Sequence, residues 1–160
     1  MRTGRSLGLI AAALLLPANT APNKSNPGPV VQTDAGPVRG EALEAGAAWR
    51  GIPFAAPPVG PLRWREAKRV RPWRVPRDAT RFGNDCVQAT RDGQAAWPQS
   101  EDCLTLSVIT PNRRAKGLPV LVSIHGGAYA FGSGRYIAEA GLSPVVRGGV
   151  ILVSPNYRVG

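Results

Sequence analysis

The stretch Val120–Gly134, VLVSIHGGAYAFGSG, decides how the rest of the chain is read. Residues 120–124 make a short, mostly apolar, β-branched run of the kind that forms a strand buried on both faces, and the run empties directly into His125-Gly126-Gly127. Paired glycines at a strand end let the backbone take positive φ values and approach a ligand closely, so successive N–H groups can converge as an anion-binding nest. In acyl transfer that anion is the oxyanion of a tetrahedral intermediate, and each preorganised donor aimed at it is worth about 10² to 10³ in rate. The stretch reads as half of a hydrolytic site.

The neighbouring segments read as strands joined by loops. Val30–Thr33 and Val38–Glu41 flank Asp34-Ala35-Gly36-Pro37 as a hairpin, and Ala47–Trp49 adds a third short strand. Arg50–Trp64 holds prolines at 53, 57, 58 and 61, which exclude a regular helix or a central strand, so a structured loop is expected, pinned by Ile52, Phe54, Val59, Leu62 and Trp64. Asp78–Thr80 and Leu104–Ile109 are further strands. Ile137–Val146 contains a short helix broken by Gly141 and Pro144, and Val150–Val153 is another buried-type strand. Strands separated by a helical crossover point to an α/β sheet, of which only the opening strands are present.

Composition narrows the function. With 160 residues and 43% hydrophobic content a single domain is expected, and 19 glycines and 16 prolines predict many turns. The net charge of +10 comes almost entirely from arginine, lysine occurring only at 24, 68 and 116. The densest run lies between Arg63 and Arg81, with Trp64 and Trp73 interleaved, a composition that can grip phosphates and stack bases. Pro72 and Pro76 interrupt it and no nucleic-acid motif adjoins it, so it reads as a solvated loop face and no nucleic-acid partner is expected.

Residues 1–21 have the form of a cleaved signal peptide: Arg2 and Arg5, an apolar run from Leu7 to Leu16, then small residues from Ala18 to Ala21. That run is too short for stable membrane insertion, and it predicts a secreted or periplasmic protein. Residues 22–29 read as a flexible spacer and 30–160 as the folded domain. Gly4-Arg5-Ser6-Leu7-Gly8 matches the nucleophile-elbow pattern but lacks the strand before it and the helix after it, so the match is assigned to chance.

Cys86 and Cys103 are the only cysteines. In an exported protein they are most simply joined to each other, two free thiols being the alternative. Two sulfurs with one distant histidine make no zinc spacing, and no metal is expected. Gly132-Ser133-Gly134-Arg135-Tyr136-Ile137 lacks the third glycine of a dinucleotide fingerprint and no G-K-[ST] occurs, so no cofactor is expected either. Ser133 has no base near it in sequence and reads as part of a flexible turn.

Four blocks in order resemble the N-terminal third of the type-B carboxylesterases, the family of cholinesterases and bacterial carboxylesterases on the α/β-hydrolase fold. They are Arg50–Trp64, Ser100–Val108, Ile124–Tyr129 and Asn156–Gly160. The resemblance implies that Gly127 and Ala128 are the two oxyanion-hole donors of this loop, with Gly126 giving the turn its reach. It implies that Cys86 and Cys103 close the family's first disulfide loop, and that Arg63 and Glu101 form a structural ion pair, costly to break on one side by roughly 3 to 5 kcal/mol if buried. His125, the only histidine, falls at a position that belongs to the oxyanion turn, which implies loop positioning and not proton transfer.

The resemblance places the nucleophilic serine, the acid and the catalytic histidine beyond Gly160. The expectation is therefore the N-terminal portion of an α/β-hydrolase (opening hairpin and first strands of the central sheet) acting on a small-molecule carboxylic ester, inactive as 160 residues. A sheet ending after Val153 is expected to leave that strand without its next neighbour, an open apolar edge that favours aggregation. The alternative is a non-catalytic, cholinesterase-like binding or adhesion module. Oligomeric state and acyl or alcohol preference are not encoded in these residues.

Overall fold

The computed structural model describes residues 28–89, 95–111, 116–140 and 147–160. The signal-peptide reading of residues 1–21, the Ser6 match within it and most of the spacer lie outside them. Among the described residues, eight strands and one α-helix run in the order β1 (Val30–Gln32), β2 (Pro37–Arg39), β3 (Glu41–Leu43), β4 (Gly46–Pro53), β5 (Arg77–Asp78), β6 (Thr105–Thr110), β7 (Val120–Val122), α1 (Gly134–Glu139) and β8 (Ile151–Pro155), with a 3-10 turn at Gly60–Leu62 between β4 and β5. They form a three-stranded sheet, β1-β2-β5, and a five-stranded sheet, β3-β4-β6-β8-β7.

The opening hairpin forms because Thr33 organises its turn: the hydroxyl accepts from the Ala35 and Gly36 N–H groups at 3.3 and 3.2 Å. β4 is the hub of the packing because it is covered on both sides. Side chains alternate across a strand, so Ala48 joins Ile109, Ala138 and Leu152 under α1, while Ala47 and Trp49 join Val38 and Ala79 beneath the small sheet. A third cluster, Ala55, Cys86, Cys103 and Leu104 with Val159 against it, sits at one end of the larger sheet.

Four expectations are corrected here. Arg50–Pro53 is not loop but the second half of β4, an interior strand; a register shift between Trp49 and Ile52 against β6 absorbs the irregular segment, and Pro53 stands at the strand's last position. Residues 120–124 do not make a strand buried on both faces. β7 is the sheet's edge, with Val120, Leu121 and Val122 between 44% and 57% exposed. The strand at Val150–Val153 is accordingly not the open one: β8 is seated between β6 and β7, antiparallel to the first and parallel to the second. An apolar run states that a strand wants cover; it does not state on which side its neighbours lie. The helix begins earlier than expected, at Gly134, and residues 141–146 lie outside the described set.

This topology positions the site. β7 and β8 are parallel, so their C-terminal ends lie side by side, and β6 is antiparallel to β8, so its N-terminal end joins them. The turn after β7, the Asn156-Tyr157 segment after β8 and the Cys103 segment before β6 therefore meet at one edge, tied by the Asn156 N–H donating to Thr105 O at 2.8 Å.

Candidate functional site

The turn after β7 carries three consecutive positive φ angles, at Gly127 (119°), Ala128 (51°) and Tyr129 (61°). For the two non-glycine residues this left-handed conformation costs of order 1 to 2 kcal/mol each, and such strain persists only where the surroundings over-determine it. They do. The Gly127 carbonyl accepts from both the Ala130 N–H (2.9 Å) and the Phe131 N–H (3.2 Å). The Gly126 carbonyl lies 2.8 Å from Nδ1 of His125. Carbonyl and following N–H share one trans plane and point oppositely. With both carbonyls held, the Gly127 and Ala128 N–H groups point away from them, and neither donates to an acceptor among the described residues.

The turn rests on the chain below it. A Cβ on Gly132 would stand 2.3 Å from His125 Nδ1 and 2.5 Å from the Gly126 carbonyl, so only glycine lets the chain return this closely. His125 is buried and stacks on Tyr157 with ring centroids 4.2 Å apart and planes 11° from parallel. The Tyr157 hydroxyl donates to the His125 carbonyl at 2.7 Å. Ile124, His125, Gly126, Ala128, Tyr129 and Tyr157 line a cavity of about 670 Å³.

Ser133 is not part of a flexible turn. It is 1% exposed and caps α1, its Oγ accepting from the Arg135 N–H at 3.0 Å and donating to Asp85 Oδ1 at 2.6 Å. Asn156 completes this buried set, its Oδ1 accepting from the Gly134 N–H at 2.8 Å and its Nδ2 donating to Asn84 O at 3.2 Å. A serine whose hydroxyl is committed to a carboxylate and a helix end is a structural residue, not a nucleophile.

Gly126 and Ala128 thus line one cavity, with Gly127 between them in the same turn. Cys86 and Cys103 are joined in a disulfide, with Cα atoms 5.0 Å apart. Arg63 Nε lies 3.0 Å from Glu101 Oε1, but the two side chains are 57% and 36% exposed, so the condition for a costly buried pair is not met. These four residues line a second cavity of about 430 Å³, which shares Arg158 with the first. Among the described residues no group of three or more His, Cys, Asp or Glu side chains is placed to hold a metal, and no helix is long and apolar enough to cross a membrane.

Sequence reasoning missed Gln88, Asp85, Asn156, Tyr157 and Gly132 as the supports of the turn. Asn156 and Tyr157 stood inside a block quoted for its resemblance, without a role. Gln88 and Asp85 carry no local signal, since their partners are 44 and 48 residues away.

Comparison with known proteins places the chain in a family. The sequence model described as the carboxylesterase family matches residues 27–160. The chain is 39% identical over 162 residues to a fumonisin B1 esterase of Sphingopyxis macrogoltabida, covering 98% of this chain and 30% of that protein. It is 38% identical over 135 residues to a para-nitrobenzyl esterase of Bacillus subtilis, covering 82% of this chain and 28% of the relative. Its structure is similar to a Geobacillus stearothermophilus carboxylesterase with a TM-score of 0.72 and 38% identity, over 82% of this chain and 26% of the other. The chain spans about 30% or less of the length of these relatives.

Proposed function

The chain belongs to the carboxylesterase family, on part of the α/β-hydrolase fold, and from that premise we propose that it is the N-terminal part of an exported serine carboxylesterase, contributing the oxyanion hole. The observation that carries this reading is the pair of held carbonyls, Gly126 on His125 Nδ1 and Gly127 on the Ala130 and Phe131 N–H groups, which leaves the Gly127 and Ala128 N–H groups unpartnered among the described residues.

In the complete enzyme a serine outside residues 1–160 attacks the ester carbonyl carbon, and the carbonyl electron pair moves to oxygen. The Gly127 and Ala128 N–H groups receive that charge. A histidine oriented by a carboxylate, both also outside these residues, takes the serine proton and returns it to the leaving alcohol; water then releases the acid from the acyl-enzyme. Fixed donors in place before the charge develops need no reorganisation when it does. Residues 1–160 alone carry donors without a nucleophile and do not turn over ester. The exposed edge of β7 supports the same reading, since an apolar strand with one partner among the described residues is where a further strand of the sheet adds. The Cys86–Cys103 disulfide supports export to an oxidising compartment. The substrate class is a small carboxylic ester, with neither nucleic acid nor membrane insertion required.

The test is treatment of the full-length protein with a p-nitrophenyl ester, then with a serine-reactive fluorophosphonate and peptide mapping. Turnover and a modified serine outside residues 1–160 are expected, with neither in residues 1–160 alone. Modification at Ser133 or another serine of this segment contradicts the assignment; a full-length protein that neither turns over ester nor takes the label is the binding module.

A further inference from the structure

We propose that His125 is a positioning residue for the oxyanion, acting through the Gly126–Gly127 peptide in its Nδ1–H tautomer. This rests on the ester-hydrolase reading of the turn and goes beyond it, because it says what aims one of the two donors.

The two donor peptides are held differently. The carbonyl of the Gly127–Ala128 peptide is fixed by two backbone N–H groups, so any sequence that makes the turn fixes it. The carbonyl of the Gly126–Gly127 peptide receives no backbone N–H among the described residues. Its partner is a side chain, Nδ1 of His125 at 2.8 Å. Because a carbonyl only accepts, Nδ1 carries the hydrogen. The planar trans peptide then converts a grip on the carbonyl into an aim for the Gly127 N–H on the opposite side.

The ring itself is locked. Tyr157 stacks on it and donates to the His125 carbonyl, so one residue fixes both the plane of the imidazole and the backbone from which it hangs. Gly132 closes the other side, leaving no room for a Cβ beside Nδ1. Nε2 is buried and has no partner among the described residues. A hydrogen on Nε2 would be a buried donor with no acceptor among the described residues, so the arrangement suits a hydrogen on Nδ1 and a bare Nε2. The lone pair that such a ring keeps, on Nε2, is buried and does not reach a substrate proton, so the work of the ring is geometric.

The experiment uses the full-length enzyme and its His125→Ala and His125→Asn variants, the asparagine amide nitrogen standing where Nδ1 stands. An oxyanion donor acts in the transition state, so His125→Ala is expected to lower kcat by about 10-fold or more with KM changed less than about 3-fold. His125→Asn restores kcat to within about 3-fold of the parent, because a donor to the Gly126 carbonyl is back in place. In parallel, ¹⁵N NMR of the ring in the unaltered protein is expected to show the hydrogen on Nδ1 and a bare Nε2. A folded His125→Ala enzyme with parental kcat, a His125→Asn enzyme as impaired as the alanine variant, or a hydrogen found on Nε2 overturns the proposal. If the unaltered full-length protein hydrolyses no ester, the ester-hydrolase reading fails by itself, and the ring spectrum still decides whether His125 holds the carbonyl.

Discussion

Gln88 holds Gly132 by both of its backbone groups: Oε1 accepts from the Gly132 N–H at 2.7 Å and Nε2 donates to the Gly132 carbonyl at 2.9 Å. A side-chain amide thus does here what a neighbouring strand does in a sheet. It ties the disulfide loop to the glycine on which the His125 ring rests, and so links the covalent staple to the proposed oxyanion turn. Gln88→Ala removes two part-buried bonds and is expected to destabilise the domain by about 1 to 3 kcal/mol. Equilibrium unfolding and amide exchange at Gly132 in the full-length protein measure this; unchanged exchange at Gly132 contradicts the clamp.

The buried serine gives the next prediction. Ser133→Ala strips α1 of its cap and leaves Asp85 without the hydroxyl that serves it, for a loss of about 1 to 3 kcal/mol. Labelling by a fluorophosphonate, scaled to the folded fraction, is expected to stay at the parental level. Loss of labelling in a folded variant would return Ser133 to the catalytic machinery.

What was legible in the sequence was local. The hairpin around Asp34–Pro37, the strand through Leu106–Ile109 and the glycine turn after Val122 each follow from periodicity and turn chemistry within a few residues. The strand order was not legible. Nothing in Val150–Val153 says that it enters between β6 and β7, and nothing in Val120–Val122 says that it is left at the edge, because pairing is decided between segments about 30 to 50 residues apart. The continuation of β4 through Arg50–Pro53 was hidden by proline-rich composition, which a bulge and a terminal position accommodate. The glycine turn was legible because paired glycines at a strand end are a local signal; its supports, Gln88, Asp85 and Tyr157, act across the fold and have no signature where they stand.

The disulfide closes a loop with a sequence separation of 17 residues. On the chain-entropy model its reduction removes about 3 kcal/mol, and since Gln88 lies two residues from Cys86 the clamp on Gly132 should loosen with it. Melting with and without reductant is expected to show a lower midpoint in reductant, with faster exchange at Gly132. An unchanged midpoint contradicts a stabilising role for the staple.

The Arg63–Glu101 pair is expected to contribute little to stability. Half-exposed partners gain modest Coulomb energy and are screened by salt, so Arg63→Ala should change stability by no more than about 1 kcal/mol in the isolated segment. A loss of about 3 kcal/mol or more in the full-length protein would instead mark the pair as buried there.

The most direct measurement removes one hydrogen-bond donor and leaves every side chain in place. Replacing Ala128 in the full-length enzyme by its ester analogue, L-lactic acid, exchanges the Ala128 N–H for an oxygen and keeps the methyl side chain and the turn. The account predicts that kcat falls by about 10² to 10³ while KM stays nearly constant, the mark of a group that meets charge in the transition state alone. An ester-substituted enzyme, folded and turning over substrate at the parental rate, would show that the Ala128 N–H does not hold the oxyanion.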